Sequence, residues 1–304
     1  MSTSVNKEIW IPAIEDNFYT EWERVKTIAK DDSIYVDAKQ VHIPNAGSVG
    51  TLLKNNSSYP VSAEERTDTI NTYDVDSYQM PPIRIGRFDT KDLTYDKTLS
   101  VVKDQTGNIG ERIKYDAYVN WYIGKESGKH VETSGTGTST SSAPGSSATV
   151  KDITIADVIE AKGILDKQKI PQTGRILLLP VDMFHQLHAD LIDDGNTIIM
   201  TESDGFSVLD KPFAGFKVVM DTEVVNTTST GTARAYGHSG ASGDLQAGLA
   251  YHKDQVSVAK KDIFVEFAKG PGMYGETVEA ESWAGSKYRR EDKKGIVPIL
   301  QKVN

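Results

Sequence analysis

The chain contains no cysteine in its 304 residues, so it can build no disulfide, no thiolate zinc site and no cysteine nucleophile. No apolar run approaches the roughly 20 residues that a membrane-spanning helix needs. The opening MSTSVNKEIWIPAIEDN lacks the basic-then-apolar pattern of a secretory signal. The expectation is a chain that is made and stays in a cytosol unless it leaves inside something larger, with no membrane partner. Positive charge is also scarce: 34 Lys and Arg stand against 43 Asp and Glu, a net charge of −9. That balance excludes a broad electrostatic footprint for nucleic acid.

Catalytic patterns are missing as well. Gly237-His238-Ser239-Gly240-Ala241 is the nearest approach to a nucleophile elbow, but its fifth residue is not Gly and no helix pattern follows. His185 and His188 lie three apart, with Asp190, Asp193 and Asp194 behind them; two His and a solvated acidic stretch are a weak metal signal. Asp190 to Asn196 lacks the alternating ligands of a calcium loop, and the Gly-rich segments lack a phosphate-loop Lys. The basic group Lys287, Arg289, Arg290, Lys293 and Lys294 encloses Glu291 and Asp292 and reads as a solvated hairpin tip. No enzyme, cofactor or metal site is expected.

What is present is a long amphipathic stretch. From Tyr95 to Ile123, Leu99, Val102, Thr106, Ile109, Ile113, Ala117 and Trp121 recur at three- and four-residue intervals, predicting one long helix with a buried stripe. Lys103, Asp104, Glu111, Arg112, Lys114 and Asp116 are expected on its polar face. Gly107 and Gly110 make a break near Thr106 the main risk.

Before this helix, Phe18, Trp22 and Val25 share one face of a short helical pattern, expected to pack on another surface. Asn45 to Phe88 is polar with strand-like alternation at Thr69 to Tyr78 and Ile83 to Ile85, and reads as an extended two-stranded arm leaning on a neighbour. Gly124 to Val150, rich in Gly, Ser and Thr, reads as a flexible loop. A capped helix starts at Thr154 with Asp157 three residues on, burying Ile155, Val158, Ile159 and Leu165. An apolar strand, Arg175 to Leu179, leads through Pro180 into a helix burying Phe184, Leu187 and Leu191. Strands are expected at Thr197 to Met200, Phe216 to Asp221, Ala233 to Tyr236 and Gln246 to Tyr251. Two longer ones follow from Ile263 and Thr277, then IVPILQ, demoted to an edge by Pro298. The class is α+β.

Taken in order, these parts resemble the major capsid proteins of tailed bacteriophages, the Hong Kong 97-type shell fold shared with encapsulins. The resemblance is carried by Gln40 to Pro44, TYDVDSYQMPPIRIG, the helix YDKTLSVVKDQTGNIGERIKYDAYVNW, GRILLLPVDMFHQLHAD and the strand-rich tail. It implies an N-terminal arm (1–44), an extended loop (45–88), a peripheral domain holding the spine helix and the insertion (89–150), an axial domain (151–251) and return strands of the peripheral domain (252–304). It implies self-assembly as pentamers and hexamers into an icosahedral head around double-stranded DNA, in the virion after assembly in the host cytoplasm. The partners implied are a separate scaffolding protein, a portal protein and, in some members, a decoration protein, with DNA held by non-specific contact only. Leu52, Leu53, Lys54, Tyr59 and Val61 are the loop residues expected between subunits. Leu99, Val102, Ile109, Ile113 and Trp121 are expected as spine-helix core. Some members cross-link a loop Lys to a neighbour's Asn, and Lys54 is placed similarly, with no partner assigned. An encapsulin-type compartment and, from another class, a hydrolase or metal-binding enzyme built on Ser239 or His185 and His188 are the alternatives.

Overall fold

A computed structural model describes residues 24–37, 39–47, 52–57, 59–62, 65–86, 97–195, 198–268 and 275–304, with backbone alone at 85, 86, 97–106, 262, 263, 265, 267, 275, 276 and 278. Trp10, Phe18 and Trp22 lie outside these residues.

The centre is an eight-stranded mixed sheet. Arg175–Pro180 runs parallel to Phe216–Asp221 on one side and antiparallel to Leu245–His252 on the other, and Ile296–Leu300 and then Val131–Glu132 follow. RILLLP has no alternation because both faces are covered. Ile176 and Leu178 point toward the spine helix, while Leu177 and Leu179 point toward two helices on the opposite face. Those helices are Ile155–Lys167, burying Val158, Ala161 and Leu165, and Val181–Asp193, burying Phe184, Leu187 and Leu191. Asp157 accepts a hydrogen bond from the Thr154 N–H at 2.8 Å, the reciprocal half of the predicted cap.

The spine helix, Lys97–Trp121, runs unbroken through Gly107 and Gly110. Its 25 residues span about 37 Å. Ile113, Ala117 and Trp121 are buried where the central sheet meets a second sheet, and Ile109 is packed beside them. That second sheet is a long hairpin, Val256–Ala268 with Gly275–Tyr288, flanked by Lys30–Asp31 and by Asp76–Gln79 and Ile83–Gly86. Gln40–Asn45 and Thr69–Asp74 form the base of the extended loop and lie over the hairpin. Gly285 permits that approach: a Cβ there would sit 2.5 Å from the Asp74 carbonyl oxygen.

Several expectations are corrected. Lys114 is buried, because the Tyr115, Tyr118 and Tyr122 flank also packs inward and the buried face is broader than one stripe. Ile159 is exposed; Val158, Ala161 and Leu165 define the inner face, and Ile159 lies off it. Val25 and Ile28 join the chain's own core rather than another surface. Ala233 to Tyr236 is no strand, touching Thr227 through one bridge at Ala233, whereas Phe206–Leu209 and Val225–Thr227 are strands. Asp76–Gln79 and Ile83–Gly86 pair with the hairpin rather than with each other, and Ile296–Leu300 belongs to the central sheet.

Pro298 does not make Ile296–Leu300 an edge. Bonds from His252 N–H to Gly295 O and from Gln301 N–H to Gln246 O place the Leu249 and Pro298 pair at a non-hydrogen-bonded position. Its missing donor faces the Val131–Glu132 side, where pairing starts only at Ile299.

The Gly/Ser/Thr tract is tied down rather than loose. Thr138–Thr140 pairs with Thr149–Lys151, and its hydroxyls supply the links that apolar side chains would otherwise provide. Ser134 Oγ donates to Asp157 (2.6 Å), Ser141 Oγ to Gln301 (3.0 Å) and Ser146 Oγ to the Asp244 carbonyl (2.6 Å).

Candidate assembly surface

The extended loop rises from a regular base. Past the last pair, Asn45 with Thr69, the Gly47 N–H donates to Asp68 Oδ1 at 2.8 Å and Arg66 Nε lies 2.6 Å from the same oxygen. These two donors, Gly47 first, hold the Asp68 carboxyl below its usual range. Beyond the base, the apolar side chains of the tip face water: Leu52 is 93% exposed and Tyr59 80%, and Leu53 and Val61 are more than half exposed. Lys54 is exposed too and makes no ion pair with a described residue. A polar segment that holds four large apolar groups clear of its own core presents a surface for burial elsewhere.

The spine helix supplies rigidity behind this loop. Trp121 is closed to solvent, its indole N–H donates to the Ser257 carbonyl at 3.2 Å, and its ring lies 5.5 Å from Tyr118 and 5.7 Å from Tyr251. Ile113 is buried with it; the side chains of Leu99 and Val102 lie outside the described residues. The sequence reading missed Asp221, whose carboxylate takes Lys114 Nζ at 2.9 Å, the Tyr118 hydroxyl at 2.8 Å and the Thr222 N–H at 2.7 Å. Burial and the neighbouring Asp221 charge push the Tyr118 hydroxyl far above its ordinary pKa. The available signal was the Tyr115, Tyr118 and Tyr122 spacing, a second stripe flanking Lys114.

No family model matches the chain, and no curated protein matches it. Solved structures do. The capsid of cyanophage P-SCSP1u aligns over 90% of this chain and 86% of that one, with a TM-score of 0.62 and 13% identity. The capsid of Ralstonia phage GP4 aligns over 91% and 87%, with a TM-score of 0.59 and 12% identity. An encapsulin complex from Synechococcus elongatus PCC 7942 aligns over 92% and 86%, with a TM-score of 0.58 and 9% identity. The chain has the Hong Kong 97-type shell fold.

Within that shell fold the enzyme-like residues have structural partners. His238 Nδ1 faces the Ala235 carbonyl at 3.1 Å, and its other nitrogen is 3.7 Å from Asp244, whose carboxylate is occupied by Arg234 and the Ala241 N–H. The Gly240 of the apparent elbow is there for packing, since a Cβ would lie 1.7 Å from the Pro144 carbonyl oxygen. His188 Nε2 meets the Ile198 carbonyl at 3.0 Å, Asp190 accepts from the Ile155 N–H at 2.8 Å, and His185 is exposed. Among the described residues no three His, Asp or Glu converge, and no helix is long and apolar enough to cross a membrane.

The basic group is likewise engaged. Arg290 and Lys294 bind Asp292, Lys293 binds Glu126, Arg289 binds the buried Asp32, and Lys287 Nζ donates to the Thr72 carbonyl at 2.8 Å. This turn clamps the shell fold's own segments together.

Proposed function

We propose that the chain is the major capsid subunit of a tailed bacteriophage, forming pentamers and hexamers of an icosahedral head around double-stranded DNA. The observation that carries this reading is the extended loop whose apolar tip is exposed on a Hong Kong 97-type shell fold. A monomeric binding module or enzyme gains nothing from exposing Leu52 and Tyr59, whereas a subunit that lays its loop across a neighbour buries them once per contact.

On this reading the arm, loop, peripheral and axial regions keep their order along the chain, with Ile296–Leu300 contributing to the axial sheet. A scaffolding protein, a portal at one vertex and DNA held by non-specific contact are the partners the reading entails, and a decoration protein is compatible with it. The place of action is the virion, after assembly in the host cytoplasm.

The encapsulin alignment favours a second reading, a compartment around cargo protein. Electron microscopy of the chain expressed with and without its flanking genes tests both. Closed shells or tubes are expected, and a protein that stays monomeric at high concentration would overturn the proposal. Nuclease-protected DNA inside the shells supports the head; co-purifying protein cargo in DNA-free shells supports the compartment.

A further inference from the structure

Beside the spine helix lies a cavity of about 350 Å³ with Tyr115, Tyr236 and Pro144 among its walls. Glu111 and Glu223, both exposed, line it as well. The two tyrosine rings meet edge to face, with centroids 5.7 Å apart. These walls are held from behind. The Tyr115 hydroxyl donates to the Arg234 carbonyl at 3.0 Å and accepts from the Asn226 N–H at 3.3 Å. Pro144 is locked against Gly240, where a Cβ would lie 1.7 Å from its carbonyl oxygen. Asp244, bound by Arg234 at 2.7 Å and by the Ala241 N–H at 2.9 Å, closes the loop that carries Tyr236. The segment that fails as a nucleophile elbow contributes Gly237 and His238 to this preformed wall.

Charge decides what such a cavity takes. Lys114 reaches it but is held by Asp221 at 2.9 Å. Arg112 lies in the neighbouring groove, 5.7 Å from the Tyr236 ring and 3.5 Å from Asp116. Glu111 and Glu223 make no ion pair or hydrogen bond with a described residue. Burial, and after it the charges of these two carboxylates, push the Tyr236 hydroxyl above its ordinary pKa, so both carboxylates act on the one ring. Tyrosine faces attract cations, and two unpaired carboxylates repel anions. Among the described residues no three His, Asp or Glu converge, so the cation is not a metal ion held by side chains. The volume is that of a small-ligand site. We propose that this cavity binds a linear aliphatic polyamine, its methylene chain on the Tyr115, Tyr236 and Pro144 walls and one ammonium at each of Glu111 and Glu223. The site is formed within one chain, so it stands apart from the shell reading above.

Titration calorimetry of the purified full chain with spermidine at low ionic strength tests the site. One saturable site per chain is expected, with putrescine binding too and butylammonium, which carries a single charge, about tenfold more weakly than putrescine. Glu111→Gln with Glu223→Gln is expected to lower spermidine affinity about tenfold or more. Tyr236→Leu is expected to lower it about fivefold, through loss of the cation–π face. Glu160→Gln with Glu202→Gln, which removes two exposed carboxylates elsewhere, is expected to leave it unchanged. The substituted carboxylates are all exposed, and an unchanged melting curve verifies folding. The competing outcome is diffuse attraction of a polycation to a chain of net charge −9. Heat that does not saturate, or equal losses from the control pair and the cavity pair, would overturn the site, as would affinity that survives both the glutamate and the Tyr236 changes.

Discussion

Lys114 Nζ and Asp221 Oδ1 meet at 2.9 Å with both side chains almost closed to water, joining the middle of the spine helix to the end of a central strand. Asp221 also accepts from the Tyr118 hydroxyl and the Thr222 N–H, so Asp221→Ala removes three bonds from a closed site and is expected to cost about 3–5 kcal/mol in chemical denaturation. Asp221→Asn keeps an acceptor for those donors but removes the charge and is expected to cost less than Asp221→Ala. An unchanged denaturation curve for Asp221→Asn would show that the charge pairing is not what matters there.

Trp121→Ala is expected to cost about 3–5 kcal/mol, because the cavity left among Tyr118, Tyr251 and Ser257 cannot collapse against two sheets. Ile113→Asp is expected to yield no soluble folded protein, an unpaired carboxylate being placed in the same core. Thermal melts and soluble yield measure both.

Asp157 is the anchor of the Ser/Thr-rich tract, taking Thr154 N–H and the Ser134 hydroxyl while nearly fully buried. Asp157→Ala leaves those donors unpaired and is expected to cost about 1–3 kcal/mol. Proteolysis within residues 134–150 is expected to quicken in the same variant.

Excision of the loop tip, residues 52–62, with a short Gly bridge, is expected to leave circular dichroism and the cooperative melt unchanged, since none of its described side chains is buried. The shortened chain is expected to sediment as monomers or small oligomers. A standard interface buries about 800 Å² per partner, and losing that at every contact of a closed array is decisive through multivalency.

Acid is expected to loosen one place early. The hydrogen bond from Lys293 holds the Glu126 carboxyl below its usual range, and Arg290 does the same for Asp292. A folded-state pKa lowered in this way gives stability that is present above the ordinary carboxylate range and is lost as pH falls through the lowered value. Amide exchange, corrected for its intrinsic pH dependence, is expected to rise in 124–130 and 289–295 in that acid range before it rises in Leu245–His252.

The elements legible in the sequence were those whose signal lies within their own residues. The spine helix announced itself by Ile109, Ile113, Ala117 and Trp121, and the strand Arg175–Pro180 by an unbroken apolar run. What could not be read depended on distant partners. Ser141 is structural only because Gln301 is there to receive it, and Val131–Glu132 is a strand only because Ile299 and Leu300 lie beside it. Lys114 looked like solvent-facing charge until Asp221 came to meet it. The candidate site divides the same way: the tip residues stood out as apolar groups in a polar segment, whereas the Asp68 clasp at the base of the loop exists only once Gly47 is brought to it.

That dependence on distant partners has a kinetic consequence. The central sheet pairs Val131 with Ile299, Ile176 with Tyr251 and Ala250 with Val297, so its order is closed by contacts between remote parts of the chain. Loop closure must precede the stabilising burial, which places such a topology among slow folders. Newly made copies therefore spend time with Leu245–His252, eight consecutive residues buried in the finished sheet, unpaired and sticky. Productive yield is governed by the race between that intramolecular closure and encounters among unfinished chains, and it should fall as the synthesis rate rises even where the completed subunit is stable.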